Sequence, residues 1–348
     1  MQSNHFVKAA ILTLLLVTGF IVYWEYHWRS KGFPVSYNDD SALWAKERAR
    51  VYQSPEDATV VIGSSRIKFD LDVETWEKLT GDNIVQLSLV GTSPRPVLHH
   101  LANDEKFKGK LLIDVTEFLF FGRNPAQREK SAIEGINYYK DQTPSQKASN
   151  WLNYELESQL VFLEEGKYGL NELLADLEIP NRKGVFSFPV FPKEFELNNA
   201  RRQNYMHPRF VADTSLQNWQ QRNWMKLGGM DRRPGISGDT LQKVLEDIKA
   251  SIDKIRARGG LVIFVRTPAN GPMEANTKTA YPRELFWNKM LEFTQTPGVH
   301  YEDYPETAGF VCPEWSHLTP SDAVTYTRHL IAQLEQKGWK FPHKPSAH

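Results

Sequence analysis

Two short stretches, near opposite ends of this 348-residue chain, carry side chains that could do chemistry together. Gly63-Ser64-Ser65-Arg66 offers a hydroxyl nucleophile. Glu314-Trp315-Ser316-His317-Leu318 offers an imidazole with a carboxylate three residues before it. A serine hydroxyl is a weak nucleophile unless a base takes its proton, and the base needs an acid to orient it. Ser65, His317 and Glu314 are the corresponding parts. On a helical turn residues i and i+3 face the same way, so one turn could present Glu314 and His317 together towards Ser65. The reaction also needs donors aimed at the developing oxyanion, and glycines at 63 and 91 let backbone N–H groups approach closely. The chemistry these residues could perform is acyl transfer through an acyl-serine.

Elements that could bring the two ends together are legible in the hydropathy pattern. TVVIG (59–63), NIVQLSLVG (83–91), GKLLIDVTEF (109–118) and LVIFVRTPA (261–269) read as buried strands, and GVHYEDY (298–304) as a short one. Helical patterns alternate with them: VETWEKLTG, PRPVLHHLAND, TLQKVLEDIKASIDKIRARGG, PRELFWNKMLEFTQ and the terminal SDAVTYTRHLIAQLEQKG. Strand–helix alternation implies a parallel sheet with helices on both faces, and in open sheets of this kind sites form at the carboxyl ends of the strands. Gly63–Arg66, Gly91–Pro94, Thr116 and Glu117, and Arg266–Pro268 all fall there. Arg66 could hold an anionic substrate group or a structural salt bridge, and so could Arg266, a charge closing a buried strand. His99 and His100 lie on a predicted helix and read as surface or packing residues. The alternation stops over 122–236, where one or two helices are expected near 145–177 and Phe and Pro cluster after it. The expected organisation is an α/β domain over 57–345 with a large insertion at 122–236 after the third strand; a second independent domain over 122–236 is the alternative. The insertion's rings, Trp151, Tyr154, Phe162, Tyr168, Phe186, Phe188, Phe191, Phe195, Tyr205, Phe210, Trp219 and Trp224 among them, suit either stacking on sugars or a core of the insertion's own.

The N-terminus is not globular in character. Phe6–Trp24 is apolar except for Lys8 and two threonines, long enough to span a bilayer, and Tyr23, Trp24, Tyr26 and Trp28 provide an aromatic belt. The bulky residues closing the run lack the small-residue pattern of a cleavage site, so residues 1–28 are expected to be an uncleaved anchor and 29–56 a stalk and linker helix. Lys8 on one side and Arg29 and Lys31 on the other leave the orientation undetermined by charge. The 42 basic and 42 acidic residues give no net charge, which argues against a nucleic-acid partner. One cysteine, Cys312, cannot form an intramolecular disulfide, and no spacing of metal ligands or phosphate-cradling glycines implies a metal or organic cofactor.

IGSSRI after the first strand, LSLVGTSP after the second and EWSHLTPSDAVTYT before the terminal helix together resemble the SGNH hydrolases. They look closest to a membrane-anchored branch that includes the DltD proteins and the AlgJ/AlgX-like O-acetyltransferases. The resemblance covers roughly 57–121 and 238–335 and leaves the insertion uncovered. It implies an SGNH/flavodoxin-like three-layer α/β sandwich of about five parallel strands, with the nucleophile at Ser65 rather than Ser64 and the base at His317. The Gly91 N–H is implied as an oxyanion donor. The acid position holds Glu314 where the family usually has aspartate; the extra methylene demands a shifted backbone, and Asp303 is a possible substitute. The family's third-block asparagine is missing from IDVTEFLFFG, leaving the oxyanion hole to the Ser65 and Gly91 N–H groups or to a side chain such as Thr116. The G-x-S-x-G elbow of α/β-hydrolases is absent.

The functional expectation is an O-acyltransferase, with acetyl the expected group, working outside the cytoplasmic membrane on a polysaccharide or other envelope polymer. Its implied partner is a multi-pass membrane acyltransferase that exports the acyl group, and its N-terminus is on the cytoplasmic side. A carbohydrate or lipid esterase would use the same triad. A non-catalytic SGNH-like scaffold or polymer-binding partner is the reading from a different class, favoured by the Glu314 departure and the missing asparagine.

Overall fold

The protein is described by a computed structural model over residues 2–53, 58–175, 177, 188–229 and 233–342. Phe186, the last residues of the expected linker and the final residues of the expected domain lie outside these. Five strands form one parallel sheet: β1 (Thr59–Ile62), β2 (Ile84–Gln86), β3 (Lys110–Asp114), β6 (Leu261–Arg266) and β7 (Gly298–His300), in the order β2-β1-β3-β6-β7. The register pairs Val61 with Gln86 on one side and with Leu112 on the other, and Leu112 in turn with Ile263. Between β3 and β6 the chain also makes a two-stranded antiparallel pair, β4 (Leu197–Asn198) and β5 (Asn204–Tyr205).

Each central strand is buried on both faces, which is why it reads as an unbroken apolar run. Successive side chains point to opposite faces. Val60, Ile62, Leu111, Ile113, Val262 and Phe264 enter one core, beneath the helices Ser41–Arg50, Arg95–Ala102, Pro125–Asp141 and Gly238–Ala257. Val61, Leu112, Ile263 and Val265 enter the other, beneath Ser65–Asp70, Val73–Thr80 and Pro320–Gln336. Gly81 ends the 73–80 helix in the left-handed region at φ 65°, a conformation glycine adopts without steric cost. The helix before β1, expected as part of a linker, is packed: Trp44 is buried and donates its indole N–H to Leu87 O at 3.1 Å.

The sequence does not announce the 17-residue helix Pro125–Asp141. Its buried residues are only Ala132, Gly135 and Ile136, a stripe too narrow to register as periodicity. At Gly135 a Cβ would stand 3.2 Å from the Trp44 ring, so the glycine lets the helix lie close against that indole.

Residues 1–38 and 145–185 make one compact unit, and 39–144 with 186–348 the other. In the first, a continuous helix runs Gln2–Ser30, and residues 5–30 are long and apolar enough to cross a membrane. At its C-terminal end Trp28, Phe33, Val161 and Tyr168 form a small core. Glu25 accepts the Val161 and Phe162 N–H groups at 3.1 and 3.3 Å, and Arg29 donates to Gln159 O at 2.7 Å.

Candidate active site

β1 leads directly into a tight turn and a one-and-a-half-turn helix, Ser65–Asp70. Ser64 is its N-cap: the hydroxyl accepts the Arg66 N–H at 3.3 Å and shares a 2.7 Å hydrogen bond with the Thr116 hydroxyl. Capping residues favour this position because their oxygen satisfies an otherwise orphaned N–H. Ser64 is therefore buried and committed, whereas Ser65, the first helical residue, is partly exposed. Gly63 is required for packing rather than for backbone conformation, since a Cβ would lie 2.6 Å from the Asp114 Cβ on the neighbouring strand.

His317 meets Ser65 from the far end of the chain. Its Nε2 stands 2.9 Å from the Ser65 hydroxyl, and its Nδ1 stands 3.0 Å from Glu314 Oε1. With Nδ1–H donating to the carboxylate, Nε2 is left as an acceptor for the Ser65 O–H. The residues that carry Glu314 and His317 are not the helical turn the i, i+3 spacing suggested. They form an irregular turn in which Trp315 adopts φ 79°, and the Glu314 carboxylate folds back to accept the Ser316 and His317 N–H groups at 3.2 and 2.7 Å. The longer side chain of glutamate is what lets one carboxylate close its own turn and still reach the imidazole. Asp303, the alternative acid, pairs with Arg283 at 2.7 Å and has a half-exposed side chain, with no bond to His317.

The second Glu314 oxygen, Oε2, accepts the indole N–H of Trp224. The helix that carries Trp224, Thr214–Trp224, starts at an Asp213 cap and also holds the turn through Gln221, whose amide donates to Pro313 O at 3.0 Å. Glu314 is thus fully buried with donors on both oxygens. The His317 ring is enclosed by aromatic rings, with centroids at 4.4 Å for Phe69, 5.7 Å for Phe195 and 6.1 Å for Trp224. Phe195 and Phe210 pack with Phe69 and Met206 in a small core, while Phe191 and the exposed Phe188 extend the aromatic series outward from Trp224.

The remaining expected site residues fall in different places. Gly91 has φ 60° in the turn after β2, with open space where a side chain would project. Among the described residues neither the Ser65 nor the Gly91 N–H has an acceptor. The Thr116 hydroxyl is turned onto Ser64 and onto Asp114 Oδ2 at 3.4 Å, and makes no bond to Ser65. Arg266 is buried, and each of its three guanidinium nitrogens has a partner: Glu117 at 2.7 Å, Thr267 O at 2.6 Å and Glu274 at 2.6 Å. That is the structural salt bridge, and every guanidinium nitrogen is engaged within the protein. Arg66 is also turned inward, with Nε 3.3 Å from the Ser316 hydroxyl and the guanidinium over the Phe118 ring.

Beneath the triad lies a buried layer of charge that the sequence did not reveal. Asp70 Oδ1 accepts the Leu318 N–H at 2.8 Å and so ties the Ser65–Asp70 helix to the residue after His317. Burial pushes the Asp70 carboxyl well above the ordinary carboxylate range; the Leu318 N–H opposes the shift and Asp114 adds to it. Burial likewise pushes Asp114 up to about 6, against the pull of Arg66 and Arg266. In the same last turn of the helix Lys68 pairs with Asp39, which also takes two bonds from Arg202 at 2.5 and 3.1 Å. The clue available beforehand was a charge closing a buried strand, read at Arg266 but equally present at Asp114. Trp224 carried no such clue, since nothing in its sequence surroundings points to Glu314.

A groove of about 700 Å³ between helices 95–102, 125–141 and 238–257 contains His99 and His100 but none of the triad. Burial first, then the Arg48 and Lys140 charges, lower His100 to about 4, so it is a neutral packing residue. Among the described residues no cluster of His, Cys, Asp and Glu could hold a metal ion. Comparison of the chain with protein-family models and with curated proteins finds no match.

Proposed function

We propose that this protein is a membrane-anchored serine O-acyltransferase of the SGNH type, acting outside the cytoplasmic membrane on hydroxyl groups of a cell-envelope or secreted polysaccharide. The observation that carries this reading is the continuous chain from Ser65 Oγ to His317 Nε2 at 2.9 Å and from His317 Nδ1 to Glu314 Oε1 at 3.0 Å. In this reading Ser65 Oγ attacks an acyl carbonyl while His317 Nε2 takes its proton. The imidazolium returns that proton to the leaving group, and the acyl group remains on Ser65. His317 then takes the proton of an acceptor hydroxyl, whose oxygen attacks the acyl carbon, and the proton returns to Ser65. The N–H groups of Ser65 and Gly91 stabilise the oxyanion in each half.

Two features support transfer over hydrolysis. The base is enclosed by Phe69, Phe195 and Trp224 and is only 1% exposed, which disfavours attack by bulk water. The rings of Phe188 and Phe191, 5.9 Å apart, offer a sugar a stacking surface that leads to Trp224. Segment 122–236, which supplies these rings, is in this reading an insertion after the third strand of the SGNH fold. The apolar helix over residues 5–30 supports an anchored enzyme whose acyl group is delivered by a multi-pass membrane partner.

The test is fluorophosphonate labelling of the full-length protein in nanodiscs. Wild type and Ser64→Ala should label and Ser65→Ala should not; absence of labelling in folded wild type would refute an activated serine. Release of the alcohol from a simple acetyl ester that accelerates on adding an O-deacetylated glycan, with ester appearing on the glycan instead of free acetate, separates transfer from hydrolysis.

A further inference from the structure

The helix Pro144–Glu157 contains no buried residue. Its partly covered positions, Asn150, Tyr154 and Glu157, recur at helical spacing and face the body of its own unit: the Tyr154 ring packs, tilted, against Tyr37 with centroids 5.1 Å apart, and Glu157 takes the Asn38 side chain at 2.9 Å. The opposite side carries Ala148, Leu152 and Leu156, four residues apart, flanked by Trp151. Trp151 is 67% exposed, Leu152 51% and Leu156 42%. An exposed tryptophan beside two exposed leucines on one helix face marks an interaction surface.

The occupant follows from where this helix ends. From Trp151 to its end at Glu157 the helix rises about 9 Å. Two residues later Gln159 O accepts Arg29, and the Val161 and Phe162 N–H groups bind Glu25. Glu25 and Arg29 bracket Trp28 and Tyr26, in the aromatic stretch that closes the apolar helix, where an aromatic belt marks the membrane–water interface. The end of the 144–157 helix is therefore fastened at the level at which the anchor leaves the bilayer.

We propose that Trp151, Leu152 and Leu156 rest in the lipid interface of the membrane that residues 5–30 span, so that the first unit is held by a transmembrane helix and a second, surface-lying one. Interfacial helices bury their apolar face about 5–10 Å into the headgroup–acyl boundary. Glu155, between Trp151 and Leu156 on the same side, keeps the contact shallow, because a carboxylate is costly to carry deeper. The proposal rests on the membrane-anchor reading but not on the acyl-transfer chemistry.

The test uses the full-length protein in phosphatidylcholine–phosphatidylglycerol vesicles, with the environment-sensitive dye NBD attached at Trp151→Cys, Leu152→Cys or, as the off-stripe control on the same helix, Asn153→Cys. The native Cys312 is buried and does not compete for the label. The protein should float with the vesicles. The dye at 151 and 152 should emit to the blue of the dye at 153 and be quenched more by lipids with a nitroxide near the headgroup than by lipids with one at the chain end. Water-like, unquenched emission at 151 and 152 in floating protein would overturn the interfacial contact while leaving the anchor intact. Blue-shifted emission that no nitroxide lipid quenches would overturn it in favour of a covering protein surface. Failure to float would remove the anchor itself and the proposal with it.

Discussion

Replacing Trp224 by phenylalanine removes one N–H from Glu314 and little else. A ring remains against Phe191 and Phe195, whose centroids lie 5.4 and 5.9 Å from the indole, and Gln221 still holds the turn through Pro313 O. Glu314 Oε1 keeps its three donors, while Oε2 loses Trp224 in a fully buried position. A hydrogen bond to a charged group contributes about 1.5–3 kcal/mol, so Trp224→Phe is expected to lower unfolding free energy by roughly that amount. The carboxylate, now held on one oxygen only, orients His317 less firmly. If about half of that energy, ~1.4 kcal/mol at the upper end, appears in the barrier, Ser65 reacts about tenfold more slowly. The assay is the second-order rate of fluorophosphonate labelling at several probe concentrations, with urea unfolding of the same samples. Lower stability with an unchanged labelling rate would refute a positioning role for Trp224; no change in either would refute the hydrogen bond itself.

Asp114→Asn tests the buried charge layer through pH. Burial raises the Asp114 carboxyl from 3.8 to about 6, so the folded state binds this proton more tightly than the unfolded one. The resulting stability is complete below about pH 4 and lost as pH rises through 6; two pH units correspond to about 3 kcal/mol. Relative to wild type, Asp114→Asn should gain about that much between pH 4 and 7.5 in urea unfolding at stepped pH, and a flat difference would exclude the shift. Ser64→Ala should lower stability by about 1 kcal/mol through loss of a helix cap while Ser65 stays reactive; loss of labelling in a folded variant would transfer the nucleophile's role to Ser64. Asp39→Ala strands two buried cations, Lys68 and Arg202, and should destabilise by about 3–5 kcal/mol in denaturant titration. Although burial works to raise the Asp39 carboxyl, Arg202 and Lys68 outweigh it and hold it below the ordinary range, so the deficit should shrink as acid protonates Asp39 in the wild type.

The parallel sheet was legible in the sequence, since VVI, LLI and LVIFV are unbroken apolar runs and a sheet covered on both faces accommodates them. The sequence also determined the apolar helix at the N-terminus, and it placed Ser65 and the turn carrying His317 at the carboxyl ends of strands. Only the tertiary structure decided between Ser64 and Ser65 as the exposed hydroxyl, because one caps a helix and the other begins it. It alone chose Glu314 over Asp303 as the partner of His317, through a turn closed by the glutamate's own side chain. It alone brought Trp224 to Glu314 across 90 residues and stacked Asp70 and Asp114 beneath the site. Local periodicity records which face of an element is buried. It carries no information about which distant side chain completes a hydrogen bond, and that is fixed only when the cores on the two faces of the sheet close.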